Sequence, residues 1–105
     1  MVLYGLKNCE TCRRARRLLA DVTFADVRED GLPDDVMRAA LDRFGDALLN
    51  KRSTTWRGLS ESERERAIPE LLKEHPALMK RPLIEDDGRL YLGWDAQTRA
   101  DLGLE

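Results

Sequence analysis

The N-terminal quarter of the sequence restricts the fold, because it alternates between strand and helix patterns. Val2-Leu3-Tyr4 is a short apolar run that predicts a first strand, buried on both faces. Apolar residues at helical spacing then cover residues 10–20, and residues 23–27 are rich in the β-branched and aromatic types that favour a strand. Two strands joined by a helix form a βαβ unit, so the first two strands are predicted to be parallel.

The middle of the chain is predicted to be mostly helical. Apolar residues at helical spacing indicate a helix over residues 36–44. Residues 51–59 have no clear period and are predicted to be a loop. Ser60 with Glu63 fits a capping box at the start of a further helix, in which Pro69 is expected to cause a kink or a break.

The last quarter returns to strand patterns. Residues 83–85 and 89–93 flank Asp86-Asp87-Gly88, and Asp-Gly is a strong hairpin signal. Residues 95–102 are expected to form a closing helix. The order βαβ, then helices, then ββα predicts an α/β chain with a thioredoxin-like fold and a helical insertion at about residues 34–75.

Composition limits the functional classes. The 105 residues are about enough for one domain, predicted here as a single domain over residues 1–105. With 42% hydrophobic residues the chain can fold, and with a net charge of −2 it is not a general polyanion binder, so no direct nucleic-acid partner is expected. No apolar run approaches the roughly 18 residues of a membrane span, and no signal-peptide pattern is present. We expect a cytoplasmic monomer with no membrane partner.

The two cysteines, Cys9 and Cys12, are three positions apart between the first strand and the helix. A helix N-terminus favours the thiolate, which is the nucleophilic form, so Cys9 is predicted to have a lowered pKa. Lys7, Arg13 and Arg14 are expected to act in the same direction. Cys12 lies one turn further on and belongs to the apolar stripe. It is therefore expected to be more buried, less reactive and placed to resolve a mixed disulfide on Cys9.

Other interpretations of the pair remain open. Two cysteines and the single histidine, His75, fall short of the four ligands of a structural zinc site, so no metal is predicted. The cysteines can instead be ordinary core residues, or Cys9 can be reactive beside an incidental Cys12. The strand–CxxC–helix context favours thiol chemistry over both.

Several residues are candidates for binding an anion. Arg52 and Arg81 carry guanidinium groups, whose fork matches oxyanions and carboxylates, although either can be a solvated surface residue. Arg81 precedes Pro82, and in thioredoxin-like folds the proline that starts this strand is often cis and packs beside the reactive cysteine. Lys7 and Asn8, just before the first cysteine, can also donate to an anion.

Charge is uneven along the chain. Residues 7–17 carry five basic side chains and one acidic side chain, whereas residues 21–46 carry eight acidic and three basic side chains. Such blocks are commonly solvated faces. The alternative is that the positive block surrounds the cysteines and attracts an anion.

Three ordered segments resemble the signature segments of the ArsC/Spx family. They are YGLKNC at residues 4–9, LLNKRSTTWR at residues 48–57 and HPALMKRP at residues 75–82. RLYLGW at residues 89–94 resembles the family's terminal hairpin, so the resemblance extends over residues 2–102. The YffB-like branch, of glutathione-dependent thiol reductase type, looks closest. The resemblance implies a thioredoxin-like fold with a helical insertion.

The resemblance implies three candidate functions. Arsenate reductases use a cysteine at the position of Cys9 and three arginines, of which Arg52 and Arg81 match two. The third belongs near Leu92-Gly93-Trp94, where this chain has none, which argues against arsenate. The YffB-like branch commonly has only the first cysteine. Spx regulators carry CxxC as a redox switch and bind RNA polymerase.

The sequence therefore predicts an ArsC-like thiol-disulfide oxidoreductase. Cys9 is predicted to be the nucleophile and Cys12 the resolving residue. Lys7, Asn8, Arg52, Arg81 and Pro82 are predicted to line an anion or glutathione site. No bound cofactor is expected; glutathione is the expected co-substrate, or a glutaredoxin-type protein the reductant. The alternatives are a redox-switched regulator that binds RNA polymerase, and an arsenate reductase.

Overall fold

The computed structural model describes residues 1–104, and these divide into two compact units. One unit consists of Met1–Asp30 and the described residues from Arg81 onward. The other is Gly31–Lys80, which contains the predicted helical insertion. In chain order the elements are β1 (Val2–Gly5), α1 (Glu10–Leu18), β2 (Thr23–Asp26), α2 (Val27–Asp30), α3 (Asp34–Phe44), α4 (Thr54–Arg57), α5 (Glu61–Arg64), α6 (Ile68–Glu74), β3 (Leu83–Asp86), β4 (Arg89–Leu92) and α7 (Ala96–Asp101).

The first unit contains a four-stranded sheet with the order β2-β1-β3-β4. β1 pairs with β2 in parallel, as predicted, and Leu3 lies opposite Phe24. The pairs β1–β3 and β3–β4 are antiparallel, and Ile84 is the partner of Leu3 on the other side of β1. Because β1 is central and carries three consecutive buried residues, both of its faces are covered, which confirms the prediction from its apolar run.

The β3–β4 hairpin turns at Asp87 and Gly88. Both residues have positive φ angles, 51° and 81°. A two-residue turn of this handedness matches the twist of the flanking strands, and Asp-Gly is favoured there because these residues tolerate positive φ. The hairpin prediction is confirmed.

Helix α1 packs its apolar stripe on the sheet. Cys12, Ala15 and Leu19 form a buried cluster with Leu3 and Ile84. The helix ends at Leu18, two residues before the predicted end, because the backbone of Leu19 leaves helical geometry (φ −108°, ψ 75°). The sequence thus located the buried face of α1 correctly and overestimated its length.

The prediction of a loop over residues 51–59 was wrong in part. Thr54–Arg57 forms the short helix α4. Its N-terminus is capped by Ser53, whose Oγ accepts a hydrogen bond from the backbone N–H of Trp56 at 3.1 Å. A single turn of helix held by a cap contains too few residues to show an apolar period.

The helix predicted from Ser60 onward is two helices, α5 and α6. Ser60 Oγ accepts a hydrogen bond from the N–H of Glu63 at 3.2 Å, so the predicted cap is present. Pro69 lies in the first turn of α6, where a proline costs no hydrogen bond. The expected break is therefore confirmed. Across residues 1–104, no helix combines the length and the apolar character that a membrane crossing requires.

Candidate active site

Cys9 occupies the N-cap position of α1. Its Sγ atom accepts a hydrogen bond from the backbone N–H of Cys12 at 3.4 Å, and its own N–H donates to Leu6 O at 3.2 Å. The side chain is half-buried against the core cluster. The first N–H groups of a helix have no partner within the helix, so a sulfur acceptor at the N-cap satisfies one of them and meets the positive end of the helix dipole.

The pKa of Cys9 is lowered by its hydrogen bonds. Burial has the largest individual effect and raises this pKa, since it disfavours the charged thiolate. Hydrogen bonds from the thiol and the backbone N–H of Cys12, followed by a hydrogen bond and charge attraction from Arg81, together outweigh burial. The net direction is toward the thiolate, which is the form that reacts with a disulfide.

Cys12 has the opposite character. Its side chain is completely buried, and burial together with the hydrogen bond to Cys9 raises its pKa to about 12. An external disulfide therefore meets Cys9 first. The predicted difference in burial between the two cysteines is present in the structure.

Gly5 makes room for the buried thiol. A Cβ atom at this glycine would lie 2.5 Å from the Sγ of Cys12 and 3.3 Å from its Cβ. Strand β1 and helix α1 therefore approach so closely at Cys12 that no side chain fits between them.

Arg81 and Pro82 adjoin the cysteines. The Arg81–Pro82 peptide bond is cis, Pro82 is buried, and its carbonyl accepts a hydrogen bond from the N–H of Gly93 at 2.9 Å. Arg81 is half-buried and reaches the Cys9 thiol. Of the two arginines predicted to bind an anion, Arg81 is thus placed beside Cys9.

The side chain of Lys7 pairs with Glu29 and is not among the groups that shift the pKa of Cys9. Its Nζ atom lies 2.8 Å from Oε1 of Glu29, and this contact is the main cause of the raised pKa of Lys7. The backbone N–H of Lys7 donates to Oδ2 of Asp26 at 3.3 Å. Asp26 is 9% exposed, and its other oxygen accepts from the N–H of Arg28 at 2.8 Å. The loop before Cys9 is thereby tied to the end of β2.

The remaining candidates lie in different surroundings. Asn8 is exposed in the loop before Cys9. Arg52 is exposed in the second unit, where its N–H donates to Oδ1 of Asn50 at 3.2 Å. His75 Nε2 lies 3.8 Å from Oε2 of Glu74. Among residues 1–104, His, Cys, Asp and Glu side chains form no group of three or more able to hold a metal ion.

Sequence reasoning did not identify Asp26 or Gly5. Asp26 appeared only as one acid in a charged block, and its hydrogen bond from the loop residue Lys7 depends on the parallel pairing of β1 and β2. Gly5 appeared only within the segment at residues 4–9 that resembles the family signature. A signal was nevertheless available for Asp26, because an acid at the end of a predicted strand beside the nucleophile loop is a candidate acceptor for loop N–H groups.

Comparisons with known proteins identify the family of this chain. The model of the ArsC family matches residues 4–101. An uncharacterised protein of Haemophilus influenzae is 39% identical over 104 residues, covering 90% of this chain and 91% of the relative. The global transcriptional regulator Spx of Bacillus subtilis is 29% identical over 105 residues, covering 90% of this chain and 80% of the regulator.

Solved structures show the same fold. The YffB (PA3664) protein superposes with a TM-score of 0.81 at 30% identity, covering 95% of this chain and 96% of its own. An arsenate reductase (ArsC) related protein from Brucella melitensis superposes with a TM-score of 0.71 at 35% identity, covering 96% and 92%. The family match spans most of the sequence and includes both cysteines and Arg81. The chain belongs to the ArsC family.

Proposed function

We propose that this chain is a thiol-disulfide oxidoreductase in which Cys9 is the nucleophile. The observation that carries the proposal is the contrast between the two thiols. Cys9 is half-buried with a lowered pKa beside Arg81, and Cys12 is fully buried with a raised pKa one helical turn away. A helix N-terminus with a nearby cation is the environment in which reactive cysteines occur.

The first step would be attack by the Cys9 thiolate on one sulfur of a substrate disulfide. The disulfide bond breaks as the bond to Cys9 forms. The second sulfur leaves as a thiolate and takes a proton from solvent. The guanidinium of Arg81 would hold the Cys9 thiolate before attack and bind an anionic group of the substrate, such as a carboxylate.

The second step would resolve the mixed disulfide. Once Cys9 is bonded to the substrate it carries no negative charge, so its contribution to the raised pKa of Cys12 disappears. Burial still raises the pKa of Cys12, so its proton passes to the departing substrate sulfur as Cys12 attacks the Sγ atom of Cys9. The second half of the substrate is released as a thiol. Over the two steps the substrate disulfide gains two electrons, and the enzyme is oxidised to the Cys9–Cys12 disulfide.

Glutathione is the proposed reductant. One glutathione thiolate attacks Cys9, frees the Cys12 thiol and forms a mixed disulfide. A second glutathione attacks that mixed disulfide, so Cys9 is released and glutathione disulfide leaves. The support is the resemblance to the YffB-like branch together with Arg81, a cation able to bind a glutathione carboxylate. We propose that the cycle runs in the cytoplasm, where glutathione is plentiful and reduced.

Glutathione-dependent turnover of a peptide mixed disulfide tests the assignment. Cys9→Ser is expected to lose activity, and it is a conservative change because serine is itself a good N-cap. When glutathione is left out, Cys12→Ser is expected to keep the first step and to accumulate a mixed disulfide on Cys9, seen by mass spectrometry of the intact protein. Full activity in Cys9→Ser would show that the nucleophile lies elsewhere.

A second candidate function is a redox-switched regulator. It is favoured by the CxxC pair and by the similarity to the Spx regulator of Bacillus subtilis. In this case the Cys9–Cys12 disulfide would form and break without turnover of a substrate, and RNA polymerase would be the partner. A pull-down with polymerase subunits, with the chain oxidised and reduced, separates the candidates. Redox-dependent binding without disulfide turnover would favour the regulator.

A further inference from the structure

A basic groove lies along α1 and the residues after it. It is lined by Arg13, Arg16, Arg17, Leu19, Ala20 and Val22. Counted from Cys9, the three arginines stand at i+4, i+7 and i+8, which is the spacing of residues on one helix face. The groove therefore begins one helical turn after Cys9. It continues along the same face of α1 on which Cys9 lies.

Arg16 is held in place by an aromatic ring. Its Cζ atom lies over the Phe24 ring, 4.2 Å from the centroid. The attraction between the cation and the face of the ring restrains the Arg16 side chain, which remains exposed. A side chain ordered in this way loses less entropy when it binds a carboxylate.

The groove also carries excess positive charge. Glu10 is shared by Arg13, Arg14 and Arg17, whose nitrogens lie 3.8, 3.7 and 3.3 Å from its carboxylate oxygens. One carboxylate therefore faces three guanidinium groups. Arg13 is fixed further by its Nε atom, which donates to Lys7 O at 3.1 Å. Contacts within the chain therefore position these arginines, and the single carboxylate of Glu10 does not neutralise their combined positive charge.

We propose that this groove binds an acidic segment next to the reactive cysteine of a disulfide-bonded protein substrate, an inference that rests on the proposed function. Carboxylates complement the guanidinium forks, and Ala20 and Val22 offer apolar surface to a neighbouring side chain. Cys9 and Leu18, the last residue of α1, are separated by about 14 Å along the helix, which matches roughly four residues of extended chain. A peptide segment, more than a small molecule, fits that length.

The test compares two peptide mixed disulfides that differ only in glutamate or glutamine residues beside the cysteine. Arg16→Gln with Arg17→Gln removes two charges from the groove and leaves Arg13 on the loop carbonyl. The matched control, Arg38→Gln with Arg43→Gln, removes two exposed charges from α3. We expect kcat/KM for the glutamate peptide to fall about tenfold in the groove variant, as expected for two exposed ion pairs. The glutamine peptide and a small neutral disulfide should be unaffected.

Further measurements separate this inference from the proposed function. The glutamate peptide with serine in place of cysteine should bind the full chain in a fluorescence anisotropy assay, more weakly at high salt and more weakly in the groove variant. If the chain shows this binding pattern but turns over no disulfide, the result supports binding of the acidic peptide in the groove. The same result refutes the proposed oxidoreductase function. Arg17→Gln alone leaves the contact between Arg16 and Phe24 intact. It should lower kcat/KM for the glutamate peptide about threefold.

Three results would overturn the inference. The first is equal binding of the glutamate and glutamine peptides. The second is an equal loss in the Arg38/Arg43 control. The third is tighter binding of a short RNA than of the glutamate peptide, which would assign the groove to phosphates.

Discussion

Replacing Gly5 with alanine should destabilise the protein through one buried atom. The new Cβ would lie 2.5 Å from Sγ of Cys12, about 1 Å inside ordinary contact. The Cys12 side chain is fully buried, so the clash must be relieved by moving β1 or α1. Such overpacking costs about 1–3 kcal/mol, and the lower entropy of the unfolded alanine chain offsets about 0.4–1 kcal/mol. We expect a net loss of about 1–2 kcal/mol.

A double-mutant cycle with Cys12→Ala isolates the contact. Cys12→Ala alone should cost about 1–2 kcal/mol, because it leaves a small cavity. In that background the Cβ of Gly5→Ala meets the Cβ of residue 12 and Cδ2 of Leu3, each at 3.3 Å, and no longer a sulfur at 2.5 Å, so most of its cost should disappear. The coupling is expected to be about 1–2 kcal/mol in favour of the double mutant, measured from the free energy of unfolding in urea.

Gly58→Ala is the matched control for the cycle. Its new Cβ would come no closer than 3.5 Å to Thr54 O, so its effect should stay within about 0.5 kcal/mol. If Gly5→Ala costs the same whether or not residue 12 carries sulfur, the thiol is not what excludes a side chain at Gly5. The close approach of β1 to α1 would then not explain the glycine.

Three further predictions concern the nucleophile and its loop. Arg81→Gln should raise the pKa of Cys9, because it removes a hydrogen bond and a positive charge; the rate of alkylation against pH measures the shift. The free energy of unfolding should fall as the pH rises from about 8.5 toward 12, since the unfolded chain releases the Cys12 proton first; Cys12→Ala should flatten this loss. Asp26→Ala should speed amide hydrogen exchange at Lys7, which loses its acceptor.

Each of these three predictions has its own control variant. Arg89→Gln removes an exposed charge from the start of β4 and should leave the pKa of Cys9 unchanged; an equal shift in both arginine variants would reduce the effect of Arg81 to net charge. An alkaline loss of stability that is as steep in Cys12→Ala would assign it to other groups. For the loop, Asp26→Asn retains an acceptor oxygen and should exchange more slowly than Asp26→Ala.

Much of the first unit was predictable, because its signals are local. The apolar run of β1, the stripe on α1 and the Asp87-Gly88 turn each depend on residues close in sequence. The second unit was less predictable. Thr54–Arg57 is a single turn stabilised by a cap, and one turn is too short for a hydrophobic period to appear.

The site was predictable in its residue types more than in its contacts. The position of Cys9 before a helix predicts its N-cap role, and the stripe on α1 predicts the burial of Cys12. The lowered pKa of Cys9 was expected from the helix N-terminus, with Lys7, Arg13 and Arg14 acting in the same direction. In the structure Lys7 pairs with Glu29, and Arg81, distant in sequence, contacts the thiol.

The sequence by itself determined the order of the elements, the parallel start of the sheet and the inequality of the two cysteines. Tertiary structure decided which cation reaches Cys9, which acid holds its loop and why Gly5 has no side chain. The physical reason is the separation, along the sequence, of the residues that make each contact. Periodicity, caps and turns are set by neighbouring residues, whereas the contacts of Arg81, Asp26 and Gly5 exist only once strands and helices pack together.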